Sequence, residues 1–415
     1  MKYLAVLGRQ PEISIAELET RYSLDGSCRL LSSPKNDGIF GGPPPQSSPV
    51  HVYLFSTSSE INIDVLGGTM KLASKLDEKP LEYLQKLPEG KLTIGVSDFS
   101  KGASKKTATN EALKLKKILV RHGRSVRVVE NKDAVLSTAT SLHNGLSGKS
   151  ERKVELIKLD DDWYKVIGVQ DIDAYAKRDQ ARPARDAKVG MLPPKLAQIL
   201  INLCGPLKPG AVVLDPFCGT GVVLQEALLM GYRAYGTDIS DRMVEYSEKN
   251  LDWLMKFENT HSRGASGRPV ATGGRRSSSP CQAPDPLESS IFQISQGDAT
   301  SFTWQQPIDA VACEGYLGKP FSKIPTEMEL KEQKQECGAI VLGFLKNIAK
   351  QIKKDTPVVI AVPAWLREDG AYERLNIIDE IADLGYNVNN KSREGLIYAR
   401  AGQVVARDIL ILRKK

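Results

Sequence analysis

Paired cysteines, histidines and long apolar runs are what this chain has least of. Its six cysteines, Cys28, Cys204, Cys218, Cys281, Cys313 and Cys337, are scattered, and none belongs to a Cys-x-x-Cys pair. Only four histidines accompany them, His51, His122, His143 and His261. Zinc centres need such ligands at short, fixed spacings, so no metal is expected. Scattered thiols with no disulfide framework fit reduced cysteines in the cytoplasm. No apolar run reaches the roughly 18 residues that would suggest a membrane span. The opening run, Tyr3 to Gly8, is short and soon followed by Arg9, Glu12, Glu17 and Glu19, so it reads as a first strand and not as a signal peptide. Excess charge is also modest. A net +7 over 415 residues permits a polyanionic partner without demanding one.

The remaining composition, 41% hydrophobic and 26% charged, is that of a soluble globular protein. The length is too great for one ordinary core and predicts two or three domains.

The most informative stretch is Ala211 to Gly221, Ala-Val-Val-Leu-Asp-Pro-Phe-Cys-Gly-Thr-Gly. Val212 to Leu214 fits a buried parallel strand, with Asp215 at its carboxyl end. Gly219 and Gly221 allow a tight turn and leave a ligand room against bare backbone. Val222 to Met230 reads as the following helix, stopped by Gly231. A second short strand, Arg233 to Gly236, leads to Asp238, 23 residues after Asp215. An acidic residue about 20 residues on, at the tip of the second strand, suits a ribose diol. The turn lacks the Lys-Ser/Thr of a P-loop and the third glycine of a dinucleotide fingerprint. Its acidic entry would repel a pyrophosphate. It suits a ligand with a cationic centre and an ammonium group, and S-adenosylmethionine (SAM) is such a ligand.

Asp-Pro-Phe-Cys-Gly-Thr-Gly resembles the SAM-binding motif of class I methyltransferases. It is most similar to the RNA enzymes that carry a THUMP domain and methylate the exocyclic amine of guanine in tRNA. That resemblance implies an α/β fold: a Rossmann-like doubly wound sheet ending in an antiparallel hairpin, preceded by an α+β N-terminal domain and a THUMP domain.

The rest of the chain is divided accordingly. Residues 1–74 are expected to form the N-terminal α/β domain. Lys2 to Leu7 and His51 to Ser56 are its strands, and a helix capped by Ser14 and Glu17 lies between them. The Gly-, Pro- and Ser-rich stretch 26–50 is expected to be a flexible insert. Residues 75–173 are expected to be the THUMP-like domain. It has a strand at Lys91 to Val96 and another at Val126 to Val129. Between them lies the helix Thr107 to Arg121, with Lys114, Lys116, Lys117 and Arg121. A hairpin follows, Lys153 to Leu159 with Trp163 to Val169. By the resemblance, THUMP grips the acceptor end of tRNA. Residues 174–190 form a basic linker with Lys177, Arg178, Arg182, Arg185 and Lys188. Residues 191–415 alternate strands and helices and form the methyltransferase domain, with an insert at 259–290 expected to be disordered. The hairpin Leu396 to Ala399 with Val404 to Leu412 closes it.

The resemblance also assigns the site. Asp215 and the turn at Gly219 to Gly221 are expected to hold the amino-acid part of SAM, Asp238 to accept from the ribose hydroxyls and Asp298 from the adenine amine; Pro216, Cys218, Ile239 and Ala299 complete the expected cofactor-binding set. Asp298 has a plainer reading as a loop-capping aspartate. In the family the fourth strand of the sheet ends in Asp/Asn-Pro-Pro-Tyr/Phe. The acid or amide and a neighbouring carbonyl orient the target amine, and the ring stacks on the flipped base. Here the strand Ile308 to Ala312 leads into Cys313-Glu314-Gly315-Tyr316-Leu317. Without a gap Glu314 takes the acidic place, Gly315 and Tyr316 replace the prolines, and Leu317 replaces the ring. A slip of one residue restores Tyr316 as the ring but puts Cys313 in the acidic place. The expected catalytic set is Glu314, Gly315 and Tyr316. Two other readings stay open: a methyltransferase for another base or RNA, and a tRNA-binding protein with a silenced site.

Overall fold

A computed structural model describes residues 1–22, 24–32, 50–186, 191–261, 291–400 and 402–415. The chain forms two compact units, Met1–Ala176 and Lys177–Lys415. Among the described residues no helix is long and apolar enough to cross a membrane.

The first unit is built on one eight-stranded sheet. Its elements in chain order are β1 (Lys2–Leu7), α1 (Pro11–Arg21), β2 (Asp25–Ser32), β3 (His51–Ser56), β4 (Thr69–Lys75), α2 (Pro80–Gln85), β5 (Leu92–Asp98), α3 (Lys105–Arg121), β6 (Val126–Val128), α4 (Thr138–His143), β7 (Lys153–Leu159), β8 (Asp162–Val169) and α5 (Ile172–Gln180), the last running on into the second unit. The strand order is β2-β3-β1-β4-β8-β7-β5-β6. Here the expected boundary at residue 75 fails. Strand β4 pairs with β1 on one side and with β8 on the other, so residues 1–74 and 75–173 share one continuous sheet. Part of the expected insert 26–50 is also strand: Arg29 to Ser32 pair with His51 to Leu54. Positions 33–49 lie outside the described residues.

The expected cap of α1 fails too. Pro11, with its fixed φ, opens the helix, and Ser14 lies inside it, donating its hydroxyl to the Gln10 carbonyl at 3.1 Å. Glu17 is fully buried and accepts from the backbone N–H groups of Gly67 and Gly68 at 2.9 and 2.8 Å. A Cβ at residue 68 would sit 2.6 Å from Ser14 Oγ, so the close approach of that loop to α1 requires glycine.

A second carboxylate stitches the sheet from inside. Glu155 on β7 is fully buried and receives Lys71 Nζ from β4 at 2.6 Å, Ser97 Oγ from β5 at 2.6 Å and Ser141 Oγ from α4 at 2.6 Å. Burial of this kind is tolerated only when every charge is paired.

The second unit contains α6 (Pro194–Leu203), β9 (Val212–Asp215), α7 (Val222–Leu229), β10 (Arg233–Asp238), α8 (Asp241–His261), β11 (Phe292–Gln296), β12 (Ala310–Glu314), α9 (Glu327–Ile348), β13 (Pro357–Leu366), β14 (Tyr372–Arg374), α10 (Ile378–Asp383), β15 (Tyr386–Val388), α11 (Asn390–Glu394), β16 (Ile397–Tyr398) and β17 (Val405–Lys414). Its main sheet runs β11-β10-β9-β12-β13-β17-β15. From β11 to β13 every pairing is parallel, whereas β17 lies antiparallel between β13 and β15. The strand order reverses at β9, whose neighbours are β10 and β12, and open α/β sheets place ligands beyond the carboxyl ends of strands at such a switch point. A core of β9, β12, β13 and α9 side chains, including Val311, Val341, Phe344 and Ile360, fixes those strand ends. The centre of the expected insert 259–290 lies outside the described residues, which resume at Ile291. Helix α8 runs to His261.

Two basic residues of the expected linker are packed into this unit. Arg178 pairs with buried Glu226 at 2.7 Å, and Arg182 is 3% exposed, with Nη1 3.4 Å from Thr220 Oγ1. These two arginines are therefore taken up by packing and are not free to meet a polyanion. Residues 187–190, Lys188 among them, lie outside the described residues.

Candidate active site

Strand β9 delivers Asp215 to the switch point, and the turn that follows is shaped by its glycines. Gly219 and Gly221 have φ of +52° and +78°, a region other residues rarely enter. A Cβ at residue 221 would lie 2.9 Å from Ser247 Oγ and 3.0 Å from Leu251 Cδ1 on α8. Ser247 Oγ in turn donates to the Gly219 carbonyl at 2.8 Å, and Asn250 Nδ2 to that of Thr220 at 2.9 Å. Helix α8 thus grips the turn from behind. The sequence reading did not single out either residue, because a Ser and an Asn inside an amphipathic helix carry no distinguishing local signal.

The turn is also tied to β10. Cys218 N–H donates to the Thr237 carbonyl at 2.9 Å, and Gly219 N–H to Asp238 Oδ2 at 2.9 Å. Asp238 Oδ1 accepts from Ser240 N–H at 2.9 Å. Pro216 and Cys218 are buried beneath, and the Pro216 carbonyl accepts from Thr237 Oγ1 at 3.4 Å. Ile239, next to Asp238, leaves 70% of its side chain exposed, an unusual state for a large apolar residue at a strand tip.

Beyond β11, Gly297 N–H donates to the Asp238 carbonyl at 2.9 Å, which brings Asp298 and Ala299 alongside. Ala299 is buried in the core. Asp298 is exposed, and its Oδ1 takes both Thr300 N–H at 2.9 Å and Thr300 Oγ1 at 2.8 Å. Its loop-capping role is therefore real.

Strand β12 ends in Glu314, which accepts from Arg407 Nε of β17 at 2.5 Å. Gly315 N–H donates to the Ala361 carbonyl at 2.9 Å, so β12–β13 pairing continues one residue past the strand end. The Tyr316 ring packs on the core, and its hydroxyl donates to Glu336 Oε1 of α9 at 3.2 Å. Burial and the Glu336 charge push the Tyr316 hydroxyl above its usual pKa, so it stays protonated. Cys313, the alternative in the acidic place, is fully buried with its thiol pKa pushed well up by burial, so it cannot serve as an anionic acceptor.

Asp215, Asp238 and Glu314 thus stand at the carboxyl ends of the neighbouring strands β9, β10 and β12. Asp215 is 2% exposed, and its Oδ1 accepts from Phe217 N–H at 3.1 Å. Burial is the main cause that raises its pKa well above the ordinary carboxylate value. The Phe217 bond opposes this, and the charges of Asp238 and Glu314 add to it. With Arg407 committed to Glu314, a cationic ligand beside Asp215 and Asp238 would be stabilised there. Among the described residues no group of three or more His, Cys, Asp or Glu side chains could hold a metal ion.

The parallel run reversing at β9 and the antiparallel β17 beside β13, together with an aspartate and glycine turn at the reversal, define the class I methyltransferase fold. Comparison with known proteins finds partial matches. A family model described as DNA methylase matches residues 129–249. A tRNA (guanine(10)-N2)-dimethyltransferase of Methanothermobacter thermautotrophicus is 51% identical over 75 residues, 18% of this chain and 22% of that protein. The enzyme of the same description from Methanocaldococcus jannaschii is 31% identical over 130 residues, 31% of this chain and 36% of that one. The matched segments span between 18% and 36% of the length of the tRNA (guanine(10)-N2)-dimethyltransferases found. Among solved structures, TrmN from Thermus thermophilus aligns over 100% of both chains at 16% identity, with a TM-score of 0.44.

Proposed function

We propose that this chain is a SAM-dependent RNA methyltransferase that methylates the exocyclic N2 amine of a guanosine in tRNA. The observation that carries the reading is the position of Asp215, Asp238 and Glu314 at the carboxyl ends of neighbouring strands β9, β10 and β12, at the switch point of the sheet. The residues present suit SAM. Asp215 and Asp238 offer negative charge to its sulfonium and ammonium groups. Positive φ selects glycine at 219 and 221, and at 219 a Cβ would meet only the Phe217 carbonyl, at 3.9 Å, so that backbone is open to a ligand. Asp238 is placed to accept from the ribose hydroxyls. Exposed Ile239 and the Asp298–Ala299 turn give the adenine an apolar face and an acceptor.

When bound, SAM supplies an electrophilic methyl group. The chain's own task is to hold the nitrogen. Glu314 and the backbone after it accept hydrogen bonds from the amine and aim its lone pair at the methyl. The amine would give up one proton, to solvent water, as it takes the methyl group, and S-adenosylhomocysteine would leave. Positioning of this kind can lower a barrier by several kcal/mol. Tyr316, anchored through Glu336, is the ring placed to support a base drawn out of its stack.

The relatives named for guanine-N2 methylation of tRNA support this choice of substrate. On this reading Met1–Ala176 contains the THUMP-like RNA-binding part. Helix α3 there exposes Lys114 and Lys117 for phosphates. Nucleoside mass spectrometry of unmodified tRNA incubated with the protein and SAM tests the proposal. N2-methylguanosine is the expected product. A methyl group on another base would redirect the reading, and SAM binding without transfer to any RNA would favour a binding protein.

A further inference from the structure

We propose that Arg407 is the positioning residue of the transfer site, acting through Glu314; this rests on the methyltransferase reading above. The Arg407 and Glu314 side chains are 7% and 16% exposed, and Nε lies 2.5 Å from Oε1. Glu314 pairs along the sheet with Ala361, and Arg407 with Pro363, so the contact reaches across the whole of β13. The topology makes this possible. Strand β17 is antiparallel to β13, so its first residues, Arg407 among them, arrive at the carboxyl ends of β12 and β13.

The charge has a clear purpose. Glu314 adds a carboxylate beside buried Asp215, and a carboxylate so placed needs a cationic partner. A guanidinium is planar and permanently charged, so it fixes the direction of the carboxylate as well as its charge. With Oε1 engaged by Arg407, Oε2 is the oxygen presented to the amine. The strand bearing Arg407 is itself pinned: the next residue, Asp408, accepts from Arg374 Nε at 2.6 Å, and Arg374 Nη1 donates to the Arg393 carbonyl at 3.0 Å. Gly315, after Glu314, is held by its N–H on the Ala361 carbonyl, and Arg407 fixes the Glu314 side chain from the side.

The test is steady-state methyl transfer to tRNA by the full chain, with SAM affinity measured by calorimetry. Arg407→Ala should lower kcat by roughly 10- to 100-fold, the scale of a misplaced reacting group. KM for tRNA and the Kd for SAM should stay within about twofold, because no binding contact is removed. Arg407→Lys should recover part of the turnover. Arg407→Ala with Glu314→Ala should be no slower than Glu314→Ala alone, since the two residues act as a unit. Wild-type kcat in Arg407→Ala, or losses that multiply in the double variant, would overturn the role. If Arg407→Ala does not fold, wild-type kcat in Arg407→Gln, which keeps the length and loses the charge, would overturn it. In each of these cases the active wild type leaves the enzyme reading standing. A wild type that transfers no methyl to RNA removes both.

Discussion

Gly219 donates its backbone N–H to Asp238 Oδ2 over 2.9 Å, stapling the turn after β9 to the tip of β10. One carboxylate therefore does several things. It closes the turn through one oxygen and accepts from Ser240 N–H through the other, and on the proposed reading it also meets the ribose. Asp238→Ala should weaken SAM binding by about 1 to 3 kcal/mol, the scale of a charged hydrogen bond. Isothermal titration of both proteins measures it. Equal affinities would remove Asp238 from the cofactor site.

Asp215 predicts a pH dependence. Its folded pKa lies well above its unfolded one, because of burial above all. The folded state then holds the proton more tightly, so this group's contribution to stability is complete below the ordinary carboxylate pKa. It is lost as pH rises from there to the folded value. A cationic ligand reverses the preference by favouring the ionised form. SAM affinity should therefore rise with pH over that window, and binding should release a proton. Titrations in buffers of different ionisation enthalpy detect the release, and Asp215→Asn should abolish it. A release that persists in Asp215→Asn would place it elsewhere.

The buried Lys71–Glu155 pair should dominate the stability of the first unit. Burial lowers the Lys71 pKa and Glu155 raises it again, yet the two groups are 2.6 Å apart and fully enclosed. Lys71→Met strands Glu155 without its counter-charge, which should cost about 3 to 5 kcal/mol. Chemical denaturation of Met1–Ala176 measures it. A loss under about 1 kcal/mol would mean that Ser97 and Ser141 suffice to hold the carboxylate.

Most of the catalytic-side fold was legible because its signals are local. The apolar run before Asp215, the glycine turn and the helix after it lie within a short stretch of chain, and β9, α7 and β10 fall where those signals put them. The hairpin of β7 and β8 was legible for the same reason. What the sequence hid depends on contacts distant along the chain. The sheet shared by β1, β4 and β8 joins residues that the resemblance divides between separate domains. Ser14 and Glu17 have the spacing of a capping box, but Pro11 starts the helix earlier, and Glu17 serves the Gly67–Gly68 loop instead. Arg182 reads as one more basic linker residue until packing buries it against Thr220. Arg407 has no motif at all: 93 residues separate it from Glu314, and only the antiparallel direction of β17 brings the two together.

The most direct measurement is methyl transfer from labelled SAM to unmodified tRNA, comparing the wild type with Glu314→Ala at saturating SAM. The account predicts that the wild type labels the N2 amine of guanosine. Glu314→Ala should lose most of the turnover while still binding SAM and tRNA, because the missing contact orients the reacting nitrogen. Glu314→Asp should regain part of it. Wild-type rates in Glu314→Ala, or a wild type that labels no RNA, would contradict the account.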